Sequence, residues 1–138
     1  MSEMNALETS LPRRAPWTRR LILFLRIMAF VSMAKGLMHW TLVLGIGDGS
    51  HSAFEQGTVP WQAATVFFAV IDLVAAVGLW LAAAWGGVVW LTAAISMAAI
   101  ELFFPQVFGG RVWIAVLEFL GIFAYIGLAL MSGRERPD

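Results

Sequence analysis

The stretch of residues 61–83 reads WQAATVFFAVIDLVAAVGLWLAA and contains a single charged residue, Asp72. A helix needs about 20 predominantly apolar residues to cross the hydrocarbon core of a bilayer, so this stretch has the length and composition of a membrane span. Three further stretches share that character, at about 21–46, 86–104 and 112–131. The sequence therefore predicts an all-α integral membrane protein built as a four-helix bundle.

The composition of the whole chain agrees with this interpretation. Of its 138 residues, 60% are hydrophobic and 13% are charged, whereas soluble domains are about 45–50% apolar and about 25% charged. We expect one membrane region over residues 17–132, with polar tails at 1–16 and 133–138. The formal net charge is +0 and there is no basic stripe, so no nucleic-acid partner is expected. The absence of cysteine excludes disulfides and thiolate metal sites.

Glycine and proline divide the apolar stretches from one another. The glycine-rich segment 45–50 ends the first span, and Pro60 opens the second, where its missing N–H is least costly. We expect the pair Gly86-Gly87 to form a tight turn between the second and third spans. Pro105 is expected to end the third span.

Arginine distribution predicts the orientation. Four arginines precede the first span, two follow the last, and the 47–60 loop contains no Lys or Arg. Arginines before an apolar run also occur in signal peptides, but this run is longer than a signal core, so we interpret it as a span. The positive-inside rule then places both termini in the cytoplasm.

Several ionisable or polar groups lie inside the predicted spans, where a charge costs about 2.5–3.5 kcal/mol. Helix rise places Lys35 about 15 Å and Asp72 about 16 Å from the outer ends of their spans, so we expect them to form an ion pair. We expect the remaining candidates to surround the outer half, with Tyr125 deeper on the same helix face as Glu118. The candidate set is Lys35, His39, Asp72, Glu101, Arg111, Glu118 and Tyr125.

This set has three open interpretations. It is a buried ion network that fixes helix register, a proton or solute site, or a site completed by another protein. Asp48, His51 and Glu55 in the outer loop match no strong metal motif, so neither a metal nor a cofactor is expected. No catalytic motif is present in the sequence, so we expect no enzyme activity.

Three stretches carry a resemblance to a known family: KGLMHW at 35–40, DLVAAVGLWL at 72–81 and WGGVVWL at 85–91. The chain resembles, over about 17–131, a family of small uncharacterised four-helix membrane proteins from alphaproteobacteria. In architecture it is distantly similar to the DoxX-like group. The resemblance implies a multi-pass protein of the bacterial inner membrane and supplies no catalytic residue.

Two functions are compatible with these features. Small size and minimal soluble parts favour a non-enzymatic accessory or scaffold subunit of a larger membrane assembly. Its partners would then be the lipid bilayer and either other membrane subunits or a second copy. The alternative is a small proton-coupled transporter or channel that uses an intramembrane carboxylate, Asp72 or Glu118.

Overall fold

The computed structural model describes residues 2–4, 16–47 and 52–135, and this part of the chain is helical and contains no strand. Four of the helices are long and apolar enough to cross a membrane. These are α1 (Pro16–Leu44), α3 (Val59–Trp80), α4 (Ala84–Phe103) and α6 (Val112–Arg134). Two short helices lie in the connections, α2 (Ser52–Glu55) and α5 (Pro105–Phe108).

The long helices contact one another in a cycle. α1 packs most extensively against α3, and α4 packs against both α3 and α6. The close approach of α1 and α3 depends on Gly36, where an added Cβ would lie 2.9 Å from the Leu73 side chain. Contact between α1 and α6 is the least extensive of the four. The assembly is therefore least closed between its first and last long helices.

The turn between α3 and α4 lies elsewhere than the sequence predicted. α3 ends at Trp80 and α4 begins at Ala84, so the Gly86-Gly87 pair lies inside α4. An added Cβ on Gly86 would lie 2.6 Å from the Gly78 Cα atom, because the two helix backbones meet at these glycines. The prediction of a glycine turn was wrong because the glycines serve close helix packing, for which small residues are equally required.

The turn itself uses an alanine in the left-handed region. Ala82 has φ 51°, and it is the one non-glycine residue with positive φ in the described part of the chain. Its N–H donates to the Leu79 carbonyl at 3.0 Å, and the Ala83 N–H donates to the Gly78 carbonyl at 3.0 Å. These two bonds form a Schellman motif, in which glycine is the usual left-handed residue.

The beginning of α1 and the end of α6 lie together. The Glu135 carboxylate accepts the backbone N–H of Trp17 at 3.1 Å and that of Thr18 at 3.3 Å. The Thr18 and Ser132 hydroxyls are 2.9 Å apart. A carboxylate is a favourable partner for the unpaired N–H groups of a helix start. We call this the termini end of the molecule and the opposite end, which carries α2 and α5, the loop end.

The apolar core occupies the termini end. Trp90 is its central side chain, 2% exposed, with its ring centroid 6.1 Å from that of Phe24. The buried members of the core come from all four long helices: Leu25, Ala29, Ala75, Leu79, Trp90, Ala94 and Ile122. Packing at this end positions the long helices, and Lys35, Asp72, Glu101 and Glu118 lie beyond it, toward the loop end.

Candidate functional site

Lys35 is the central charge of the site. It extends from α1, and its Nζ donates a hydrogen bond to Glu118 Oε1 on α6 at 2.6 Å. The Asp72 Oδ1 atom on α3 is 3.9 Å from the same Nζ. Lys35 is therefore shared by two carboxylates: the predicted ion pair with Asp72 is present at 3.9 Å, and Glu118 is the closer partner at 2.6 Å. The depths estimated from helix rise did not indicate the contact with Glu118, since the long lysine side chain can reach a partner at a different depth in the membrane.

Asp72 lies in an unusual environment. Only 1% of its side chain is exposed, and neither carboxylate oxygen has a hydrogen-bond partner among the described residues. Buried polar groups are ordinarily hydrogen-bonded, so this carboxylate has unused acceptor capacity. Because the Lys35 ammonium is 3.9 Å away, a small shift of the lysine would satisfy it.

His39 lies one turn along α1 from Lys35 and is 4% exposed. Its Nδ1 is 2.8 Å from the Lys35 backbone carbonyl oxygen. Because a carbonyl only accepts, Nδ1 carries the proton in this bond. The ring also lies near Phe68 and Phe108, with centroid separations of 5.7 and 6.2 Å. Nε2 has no hydrogen bond within the described part of the chain, and the residue lines the cavity described below.

Glu101 and Arg111 meet through backbone rather than through opposite charges. Glu101 is 2% exposed, and its Oε2 accepts the Arg111 backbone N–H at 2.6 Å. Arg111 is the residue that precedes α6, so the carboxylate stabilises the start of that helix. The Arg111 side chain is exposed and makes no ion pair with the other described residues. The predicted side-chain network is therefore replaced here by a helix cap.

Tyr125 does not join the other candidates. Its ring centroid is 5.7 Å from that of Trp90, in the apolar core. An added Cβ on Gly87 would lie 2.6 Å from the Tyr125 hydroxyl, so this side chain packs against α4 near the termini end. It lies apart from the charged candidates because seven residues from Glu118 correspond to about 10 Å along the helix. Glu118 and Tyr125 lie on the same face of α6 but at different heights along its axis.

A cavity of about 540 Å³ lies between α1, α6 and the loop end. Its polar lining consists of Ser32, Lys35, His39, Glu101, Arg111 and Glu118. The apolar lining consists of methionines, aliphatic side chains and four aromatic residues. The aromatic residues are Trp61, Trp90, Trp113 and Phe108. Small-molecule sites typically measure about 300–1,000 Å³ and combine apolar walls with a few polar groups, as this cavity does.

The sequence pattern did not reveal the aromatic wall of this cavity. Trp61 and Trp113 lie at the starts of predicted spans, where tryptophan ordinarily anchors a helix at the membrane interface. Phe108 lies in α5, a short helix between the third and fourth predicted spans. Nothing in local spacing indicates that these rings converge, because they come from three separate elements.

Of the loop residues weighed as metal ligands, Asp48 and His51 lie outside the described residues. Within residues 2–4, 16–47 and 52–135, no group of three His, Asp or Glu side chains is arranged to hold a metal ion.

Four long helices of this length and apolarity are those of a multi-pass membrane protein. The chain belongs to the family described as "Family of unknown function (DUF6163)", whose model matches residues 19–136. No curated protein and no solved structure matches the chain. The alphaproteobacterial origin and the likeness to the DoxX-like group stay predictions.

Proposed function

We propose that this protein is a non-enzymatic accessory or scaffold subunit of a larger assembly in the bacterial inner membrane. It is a four-helix bundle with both termini in the cytoplasm. Most of the chain lies in its long helices, so the surface that it offers to a partner is mainly intramembrane. Such a protein acts through contacts between helices rather than through a soluble domain.

The observation that carries this proposal is the sparse packing of α6. Only three of its 23 residues are buried, whereas eight of the 20 residues of α4 are buried. Gly127 lies on the exposed surface of α6, and an added Cβ there would meet no atom of the described residues within 4 Å. Small residues on a membrane helix allow another helix to approach closely, and an exposed glycine with no neighbour among the described residues supports an external partner.

Co-purification tests the proposal. Tagged protein extracted from native membranes in mild detergent should bring down a stoichiometric membrane subunit, identified by mass spectrometry. Gly127→Trp should abolish this recovery, because the indole would occupy the space of the incoming helix. Val70→Trp is the matched control, since Val70 is 50% exposed on α3 and should tolerate the same change. Recovery of the chain alone, or equal partner recovery from both variants, would contradict the accessory role.

A second candidate function is a small proton-coupled transporter or channel. The sharing of Lys35 between Glu118 and Asp72, next to a cavity, favours it, because protonation of either carboxylate would change which partner the lysine holds. In proteoliposomes with an entrapped pH dye, the parent should dissipate an imposed pH gradient faster than Glu118→Gln. Glu55→Gln, which alters an exposed carboxylate of α2, should match the parent. A parent rate equal to that of protein-free liposomes would exclude this candidate.

A further inference from the structure

The cavity between α1 and α6 has features that select a particular class of ligand. Four aromatic residues, Trp61, Trp90, Trp113 and Phe108, line a space large enough for a small molecule. The faces of aromatic rings, tryptophan above all, attract cations, and the attraction is strongest where water is excluded. A lipid-soluble molecule with aromatic or alkyl substituents would bury its apolar surface against the same wall.

The charges around the cavity favour a positive ligand. Among the described residues, Lys35 is the one Lys or Arg side chain that is not exposed, whereas three carboxylates are buried or nearly buried: Asp72, Glu101 and Glu118. Arg111, the other cation of the lining, is exposed near the loop end, so its charge is more strongly screened than that of Lys35. Negative charge therefore exceeds positive charge in the interior.

Lys35 itself would repel a cation at Glu118 unless it moved. The structure contains an acceptor for that movement, because both Asp72 oxygens are buried and lack hydrogen bonds within the described residues, and Asp72 belongs to α3 whereas Glu118 belongs to α6. The Nζ to Asp72 Oδ1 distance is already 3.9 Å. A ligand cation at Glu118 would let the ammonium pass to Asp72, and the four charges would then form two pairs, the ligand with Glu118 and Lys35 with Asp72.

We infer that the cavity binds a lipophilic monovalent cation against Glu118 and the tryptophan wall, with Lys35 transferred to Asp72 when the ligand enters. The ligand class is a quaternary ammonium or phosphonium ion with aromatic or alkyl substituents. His39, which is 4% exposed and lines the cavity with its Nε2 unpaired among the described residues, supplies a further polar contact. Equilibrium binding of such a cation is compatible with both the accessory role and the transporter role proposed above.

A pair of probes with the same shape and opposite charge tests the inference. Tetraphenylphosphonium and tetraphenylborate differ in charge but share four phenyl rings around a central atom. The purified full chain in mild detergent is titrated with each ion, and binding is followed by tryptophan fluorescence and by calorimetry. The phosphonium ion should bind saturably and at least roughly tenfold more tightly than the borate. Equal affinities, tighter binding of the borate or no saturable binding would overturn the inference, and none of these results depends on a variant folding.

Two substitutions test the transfer of Lys35. Glu118→Gln removes the ligand's counter-charge, and Asp72→Asn removes the acceptor to which Lys35 moves, although Asp72 does not line the cavity. Each should weaken phosphonium binding by roughly tenfold or more. Glu55→Gln, a carboxylate away from the cavity, should leave affinity within about twofold of the parent. Asp72 makes no contact with the cavity, so it can influence phosphonium binding only by accepting Lys35. Unchanged phosphonium affinity in a monodisperse Asp72→Asn sample would therefore refute the transfer. Co-purification, which tests the accessory role, does not enter these measurements.

Discussion

Replacing Lys35 by methionine is expected to destabilise the protein more than removing either of its carboxylate partners. The change leaves two carboxylates, Glu118 and Asp72, between the helices without their shared cation. Breaking a buried pair by removing one partner typically costs about 3–5 kcal/mol, because the remaining charge is uncompensated. The Lys35 side chain is 24% exposed, so screening should place the loss toward the lower end of that range.

The two distances predict how this energy is divided. Coulomb attraction falls as the inverse of distance, so the 2.6 Å contact with Glu118 is about one and a half times as strong as the 3.9 Å contact with Asp72. Only the shorter contact is also a hydrogen bond, and hydrogen bonds to charged groups are worth about 1.5–3 kcal/mol. We therefore expect a coupling energy of about 2–3 kcal/mol for Lys35 with Glu118 and about 1 kcal/mol for Lys35 with Asp72.

Double-mutant cycles measure both couplings. The variants are Lys35→Met, Glu118→Gln and Asp72→Asn with the two corresponding double variants, and stability is measured by reversible unfolding in mixed detergent micelles. A cycle of Lys35→Met with Glu55→Gln is the control and should be additive. An Asp72 coupling energy equal to or larger than the Glu118 coupling energy would contradict the expected division, and so would additivity of both cycles within error.

Three further predictions concern the turn, the helix contact and the topology. Ala82→Gly should raise the free energy of unfolding by about 0.5–1 kcal/mol, because glycine adopts φ 51° without the steric cost that alanine meets; lower stability in the same unfolding assay would contradict this. Gly86→Ala should lower the free energy of unfolding by about 1–3 kcal/mol, since the methyl group would collide with the Gly78 backbone. Gly127→Ala, where the added methyl group meets no described residue, should have a much smaller effect in the same assay. Reporter fusions should place the C-terminus in the cytoplasm and the 47–60 loop outside, and an outward C-terminus would refute the proposed orientation.

Much of the architecture follows from local sequence. A run of apolar residues long enough to cross a bilayer determines that a helix forms there, since lipid leaves the backbone no other way to satisfy its hydrogen bonds. Each of the four predicted stretches overlaps one long helix, although the turn between α3 and α4 precedes Gly86-Gly87 instead of containing them. The sequence also indicated Lys35, Glu101 and Glu118 as candidate site residues, because a charged residue is conspicuous in an apolar segment.

The tertiary structure alone decided which of these groups meet. Gly86 and Gly87 have the composition of a turn but lie within α4, since the demand for close backbone contact arises only when a second helix is present. Glu101 caps α6 through a backbone N–H, although its sequence spacing predicted a charge network. The rotation and tilt of each helix decide whether Lys35 meets Glu118 or Asp72, and those depend on side-chain packing across helices rather than on the pattern along any one of them.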